Sequence, residues 1–466
     1  MLFNSPVFFL FATIFFCLWP VLKRNQTVRF IYIILASAYF YAWLASWYLI
    51  PLAATGLTDF LVALAMERFP ARKKTLLTLS IVANLGTLGY FKYAGFAAAN
   101  LHSLFGIGAG GAQLAAYALP VGISFYTFQS MSYTIDVYRG DFTPTRNVLH
   151  FFTSICMFPH LVAGPIVRAS HLMPQLLPVP QTSEATRWEG LKLIVNGFFK
   201  KVVIADNLAP AVNAAFGAGA VLHSCAYWWV VITMFAMQIY CDFSGYTDIA
   251  RGLAKWMGYD FTLNFNHPYQ AGSLRDFWTR WHISLSTWFR DYVYFPLGGS
   301  KRGQARSHFN MWVTMVLSGF WHGADWKFVI WGALHAMYLS LERLFSWPDK
   351  LLRIPLGRIA VTALVLVQVW VAWVFFRAEN TTQAIQIVAS MFSFSGTSVP
   401  LPLVERYVLF LLLGIMYECY MCWKRDDVEQ ETRAWIPALE PLRIAAILVA
   451  CIFLRGPGNV FIYFQF

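Results

Sequence analysis

MWVTMVLSGFWHGADW, Met311 to Trp326, is an apolar run that ends on an ionisable ring. From Met311 to Phe320 no residue carries a charge; Trp321, His322 and Gly323 follow, with Asp325 close behind. The pattern puts an imidazole at membrane depth or at a membrane edge. Ionisable groups there are costly and usually line a cavity. Gly319 and Gly323 flank the ring and let another backbone or a ligand come close. The bland alternative is a satisfied core histidine. No set of Cys, His or carboxylate residues at metal-ligand spacing surrounds His322, so a zinc role is not expected.

The rest of the chain has a composition to match. It has 466 residues, 58% hydrophobic and 12% charged, and its mean hydropathy is +0.53. A soluble chain is about half apolar and about a quarter charged. So sparse a charge cannot cover a water-facing surface. This excludes a soluble enzyme, a disordered chain and a disulfide-rich secreted domain, and indicates an all-α, polytopic integral membrane protein. The 42 Phe and 19 Trp suit lipid-facing and interfacial positions. Apolar runs lie near Val7–Leu22, Ile31–Ile50, Leu52–Ala65, Leu76–Tyr90, Ala115–Ile135, Val148–Val167, Ala226–Tyr240, Met311–Phe320, Phe328–Leu341, Val361–Phe376, Val408–Cys422 and Ile444–Leu454. At ~20 residues per span they give about 11 transmembrane helices, with re-entrant or amphipathic helices besides. No run repeats another at a fixed period, which gives an inverted-repeat transporter no support. The seven Cys read as small buried hydrophobes. Cys419 and Cys422 form a C-x-x-C, but it lies in an apolar run with no second pair.

Lys and Arg outnumber Asp and Glu by 35 to 23, a formal net charge of +12. Without a nucleic-acid-binding motif, this excess reads as cytoplasmic loops rather than a nucleic-acid surface. Lys23, Arg24 and Arg29 follow the first run, and Arg68, Arg72, Lys73 and Lys74 follow the third. With both clusters cytoplasmic, the two runs between them form a hairpin that turns outside near Trp47-Tyr48, and the N-terminus is periplasmic. No small-residue cleavage site follows Leu22, so the first run reads as a retained span. Gly106–Gly111 reads as a flexible outer loop, and Lys424–Arg433 as a solvated one.

Residues 251–308 break the membrane pattern, mixing both charge signs with many aromatics. Within them, RDFWTRWHISLSTWFRDYVYFPLGG (Arg275–Gly299) carries His282. Read as a helix from Ser273, the segment puts Trp281, Trp288 and Tyr292 near one face. His282 and Ser286 make an i, i+4 pair beside it. Arg275, Arg280 and Arg290 supply cationic forks that Asp276 and Asp291 can pair with. The competing reading is an interfacial amphipathic helix, which accounts less well for His-x-Ser-x-Ser. Asp242, at the end of an apolar run and before Ser244-Gly245, suggests a polar break in a membrane segment. Asn264, Asn266 and His267 read as loop residues able to hydrogen-bond polar groups. PHLVAGPIVR (Pro159–Arg168) reads as a broken helix, tolerated at membrane depth only where protein or a water-filled cavity surrounds it. His102, His223 and His308 read as loop residues, and His335 as a packed helix-face residue.

Together these motifs resemble the membrane-bound O-acyltransferase family, most of all its bacterial branch that acetylates exopolysaccharides. The matching stretches are LPVGISFYTFQSMSYTIDVYRGD (Leu119–Asp141), FPHLVAGPIVR, YCDFSGYTDIARGLAKWMGY, FNHPYQAGSLRDFWTRWHISLSTWFRDYVYFPLGG, LSGFWHGADWKFVIWGALHAMYLSLER and WVFFRAEN (Trp373–Asn380). The resemblance implies one transmembrane domain over 1–466, with a catalytic core at about 119–395 and C-terminal helices at 396–466 that match only in hydrophobicity. It makes His322 the essential histidine. His282 falls at the second polar position, which is often asparagine in eukaryotic relatives.

The implied reaction is acyl transfer from a thioester to a hydroxyl. A hydroxyl is a poor nucleophile at neutral pH, so a base must take its proton. A neutral imidazole, with an unperturbed pKa near ~6.5, suits that task. Donors for the tetrahedral intermediate come from His282, Ser284, Ser286 or a backbone N–H near Gly323. The donor implied is acetyl-CoA, with no resident cofactor. Arg275, Arg280 and Arg290, with Trp281 and Ser286, are the residues expected to bind it, and Lys301 and Arg302 lie on the same presumed cytoplasmic side. The setting implied is the bacterial inner membrane, with a central funnel from each face meeting at His322. Transfer proceeds directly or through an acyl-His322. The acceptor is an exported polysaccharide such as alginate or cellulose, reached directly or through a periplasmic acetyl-accepting partner subunit. Alternatives are D-alanyl transfer to a cell-envelope polymer, a lipid-linked sugar transporter, and a scaffold subunit that docks a polymer synthase.

Overall fold

The computed structural model describes residues 1–106, 119–217, 224–393, 401–428, 435–459 and 461–462; at 401–406, 424–428 and 435–438 it describes the backbone alone. The outer loop expected at Gly106–Gly111 beyond its first residue, His223, and the side chains of the Lys424–Arg433 run lie outside the described residues. The described residues form an all-α fold with no strand. Among the described residues two helices, Ser46–Arg68 and Gly357–Arg377, are long and apolar enough to cross a membrane by length and composition alone; Pro6–Leu22 and Tyr407–Trp423 are shorter apolar helices.

The chain divides into two compact units, residues 1–194 with 249–262, and residues 195–248 with 263–466. In the first, Pro6–Leu22 starts on a Ser5 cap and Gln26–Ala42 on an Asn25 cap, each side chain accepting from a first-turn N–H. The chain turns through Ser46–Tyr48, where the sequence places a hairpin turn, into Leu49–Arg68. That helix packs against Lys73–Leu88 and Ile123–Arg139. Phe60, Ala63, Met66, Tyr133, Phe151 and Ile155 form its apolar core. Set into this packing is the fully buried Asp59, whose carboxylate accepts from Ser80, Asn84 and Ser130. The expected break around His160 is present: Val148–Cys156 ends, Phe158–Leu161 makes one short turn, and a new helix starts at Ala169.

In the second unit, two expectations are corrected. The helix Cys225–Met257 runs unbroken through Asp242 for 33 residues. The carboxylate needs no helix break because its partners come from elsewhere in the unit. Lys201 Nζ lies 2.7 Å from Oδ1, and the Ile462 N–H donates to Oδ2 at 2.7 Å. Lys201 also pairs with Asp206 at 2.9 Å. The second correction concerns the helix expected from Ser273. It starts there, with Ser273 as its cap, but ends at Arg280. Trp281 is extended, His282 is left-handed (φ 43°, ψ 53°), and a new helix begins at Ile283. Residues 264–266 run alongside and take over the backbone pairing: Asn266 N–H donates to Arg280 O and Ile283 N–H to Asn264 O, both at 2.9 Å.

The helices Gln304–His322 and Trp326–Phe345 form a close antiparallel pair. Gly319 sits against the Phe328 carbonyl and the Gly332 backbone, and Gly332 against Met315. A Cβ at either position would collide with backbone, so small residues set the approach of the two helices.

Candidate active site

His322 is the last residue of its helix and is buried. Gly323, extended at φ −167°, ends the helix, and a Cβ there would meet the Phe328 ring. The close approach that the sequence predicts at Gly319 and Gly323 is therefore made by protein backbone and by an aromatic ring. Trp321, Trp331 and Phe376 meet His322 at 5.0–5.1 Å between ring centroids. Edge-to-face packing of this kind fixes a ring in orientation.

His282 is fully buried. Its Nδ1 lies 3.2 Å from Asn264 Oδ1, which also accepts from Ser284 N–H at 3.2 Å and from the Ser284 hydroxyl at 2.9 Å. Phe243 stands edge-on to the ring at 4.7 Å. His282 also meets Trp321 at 6.3 Å. The fold thus brings the two candidate histidines, 40 positions apart in sequence, against one indole. Trp281, the neighbour of His282, packs on Trp373 at 5.0 Å, and Trp373 stacks on Trp331 at 6.0 Å. One aromatic cluster therefore frames both imidazoles.

Arg280 Nε pairs with Asp276 at 2.7 Å, and Arg290 Nε with Asp291 at 2.7 Å, the pairings expected from the sequence. Arg275 is exposed, and its backbone N–H donates to Glu342. Lys301 and Arg302 are exposed. The Ser286 hydroxyl donates to the Trp281 carbonyl at 3.1 Å and so braces the break. With the helix broken at Trp281, the relation between His282 and Ser286 is that of an N-cap: Ser286 N–H donates to His282 O at 2.9 Å. Among the described residues no group of three or more His, Cys, Asp or Glu is placed to hold a metal ion.

The roles of Asn264, Phe243 and Phe376 escape a reading of the sequence. Asn264 reads only as a polar loop residue, yet it anchors the His282 turn. Phe243 and Phe376 carry no local sign of their role. His335, read from the sequence as a packed helix-face residue, is fully buried, with Trp331 at 4.6 Å and Trp278 at 5.0 Å. The i, i+4 spacing of Trp331 and His335 is the signal that could have placed it there.

Residues 145–377, which hold all of these groups, match the sequence profile of the membrane-bound O-acyltransferase family. The chain is 40% identical over 399 residues to a probable alginate O-acetylase AlgI of Pseudomonas putida, covering 84% of this chain and 81% of that one. It is 32% identical over 433 residues to a peptidoglycan O-acetyltransferase of Helicobacter pylori, covering 86% and 81%. It is 29% identical over 258 residues to a teichoic acid D-alanyltransferase of Bacillus subtilis, covering 51% and 62%. The profile match and these relatives define an acyltransferase integral to a membrane. The chain belongs to the membrane-bound O-acyltransferase family.

Proposed function

We propose that this enzyme moves acetyl groups from cytoplasmic acetyl-CoA across the bacterial inner membrane for O-acetylation of an exported polysaccharide, alginate or cellulose. It does so directly or by way of a periplasmic partner subunit. The observation that carries this reading is the sharing of Trp321 by His322 and His282 in a chain 40% identical to an alginate O-acetylase.

In this reading the acceptor hydroxyl loses its proton to His322 as its oxygen attacks the thioester carbonyl. A backbone N–H near Gly323 donates to the developing oxyanion, while His282, whose Nδ1–H is given to Asn264 Oδ1, orients the acceptor hydroxyl through the lone pair of Nε2. The C–S bond then breaks, and the departing thiolate takes the proton from the His322 imidazolium. Arg275, Arg280 and Arg290 bind the phosphates of the donor from the cytoplasmic side, with Trp281 bracing the site and Ser286 the turn beneath it. About 11 crossings with a periplasmic N-terminus surround a funnel open to each face. The likeness to a D-alanyltransferase over 51% of the chain supports a second reading, transfer of another acyl group to a cell-envelope polymer.

The test is incorporation of label from acetyl-CoA into polymer by membranes that contain the full chain. His322→Ala should lower the rate by about 100-fold or more, the scale of a lost general base, while the protein stays in the membrane. Incorporation at the wild-type rate would remove His322 from the reaction. Label arriving from D-alanyl donors and not from acetyl-CoA would favour the second reading.

A further inference from the structure

The helix Leu401–Val428 is apolar around GIMYECYMCW, yet it buries a carboxylate, Glu418. Glu418 lies outside the residues matched by the family profile. A carboxylate taken out of water is expensive unless it is paired and hydrogen-bonded. Here it is both. Its Oε1 lies 2.6 Å from His267 Nδ1, and the Tyr240 hydroxyl donates to the carboxylate at 3.0 Å. One helical turn on, the Cys422 thiol donates to Gln270 Oε1 at 2.6 Å. The loop 264–270 is thus fastened twice to this helix.

The other end of that loop holds the site. Asn264 carries the hydrogen bonds to His282 and Ser284, and Asn266 N–H takes the Arg280 carbonyl. The loop is a bracket: one end shapes the His282 turn and the other is clamped by Glu418. Tyr240 adds a second link, since its ring meets Phe265 at 5.9 Å and Trp281 at 6.3 Å. Both His267 (φ 48°) and His282 (φ 43°) adopt the left-handed backbone, which a non-glycine residue holds only where its surroundings impose it. Charge points the same way. Lys200 pairs with Asp248 at 2.8 Å and lies 5.6 Å from the Tyr240 ring. Glu418 and His267 thus sit beside a neighbouring ion pair, Lys200–Asp248.

We infer that His267 and Glu418 form a positioning lock that holds His282 in register, so that the C-terminal helix takes part in the reaction without touching the reacting atoms. This rests on the acyl-transfer reading above. The test uses membranes containing the full chain, labelled acetyl-CoA, and the rate of incorporation into polymer. Glu418→Gln and His267→Gln should each lower the maximal rate by about 10- to 100-fold, the effect of a small misplacement of a catalytic group. The KM for acetyl-CoA should stay within about twofold, since the loss falls on the transition state. Glu418→Asp should recover part of the rate. Added to His282→Gln, Glu418→Gln should cost no more than about twofold further, because both act through the same ring.

A full additional loss in the His282→Gln background overturns the lock. So does an unchanged rate for both single variants while His322→Ala is inactive. A wild-type rate for His322→Ala overturns the site reading and the lock with it. If Glu418→Gln fails to accumulate in membranes, His267→Gln carries the same comparison.

Discussion

Asn264 holds His282 from two directions: its side-chain oxygen lies 3.2 Å from the ring Nδ1, and its backbone carbonyl accepts the N–H of Ile283, the residue that follows. The same amide oxygen serves Ser284 twice. One residue thus starts the helix at Ile283 and orients the imidazole before it, while Asn266 pairs with the end of the preceding helix.

Asn264→Ala should therefore act on stability and rate together. Leaving the buried Ser284 donors without an acceptor costs about 1–3 kcal/mol, which a lowered melting temperature in detergent would record. The rate of acetyl incorporation should fall by about tenfold or more as His282 loses its anchor. A normal rate in a destabilised protein would show that the aromatic packing around His282 is sufficient alone.

A different outcome is expected for the Lys201 cluster. Lys201 is the buried cation shared by Asp206 and Asp242, and its Nζ also donates to the Asn459 carbonyl at 3.1 Å. Lys201→Met leaves two buried carboxylates uncompensated and should cost about 3–5 kcal/mol. Adding Asp206→Asn and Asp242→Asn should return most of that loss. Thermal melting of the single and triple variants decides it; equal melting points would show that the cation contributes little.

In the first unit, Asp59 is the hub of a polar knot among three helices. Asp59→Ala strands the Ser80, Asn84 and Ser130 donors, at about 1–3 kcal/mol for each group that finds no new partner. Asp59→Asn keeps one acceptor and should be clearly milder. Comparing Asp59→Asn with Asp59→Leu, similar in shape but without an acceptor, by denaturation in detergent separates a hydrogen-bonding hub, for which Asn is clearly milder, from a packing position, for which the two would be about equal.

The helices were legible wherever local chemistry controls them. The run Val7–Leu22 corresponds to Pro6–Leu22, and Val361–Phe376 to Gly357–Arg377. Ser273 was recognisable as the start of its helix because a capping serine acts on N–H groups only a few residues away. The end of that helix was not recognisable. Its break at Trp281 is imposed by backbone pairing with 264–266, and nothing in RWHIS itself requires it. Asp242 misled for a similar reason. An acidic residue in an apolar run looks like an interruption until Lys201 and Ile462, distant in sequence, are seen to satisfy it. The two histidines stood out through their motifs, whereas Glu418 sits in an ordinary apolar run and gains meaning only from His267 and Tyr240.

The left-handed backbone at His282 also acts as a filter on what mutation can place there. Asparagine, aspartate, histidine and glycine accept that geometry, while β-branched side chains resist it. The asparagine that the family resemblance puts at this position in eukaryotic relatives is among the residues that pass. Exchange between histidine and asparagine can then alter the polar head while the turn beneath it survives. A saturation library at this position samples backbone tolerance before it samples chemistry, so valine and isoleucine will drop out of such a selection for reasons unrelated to acyl transfer.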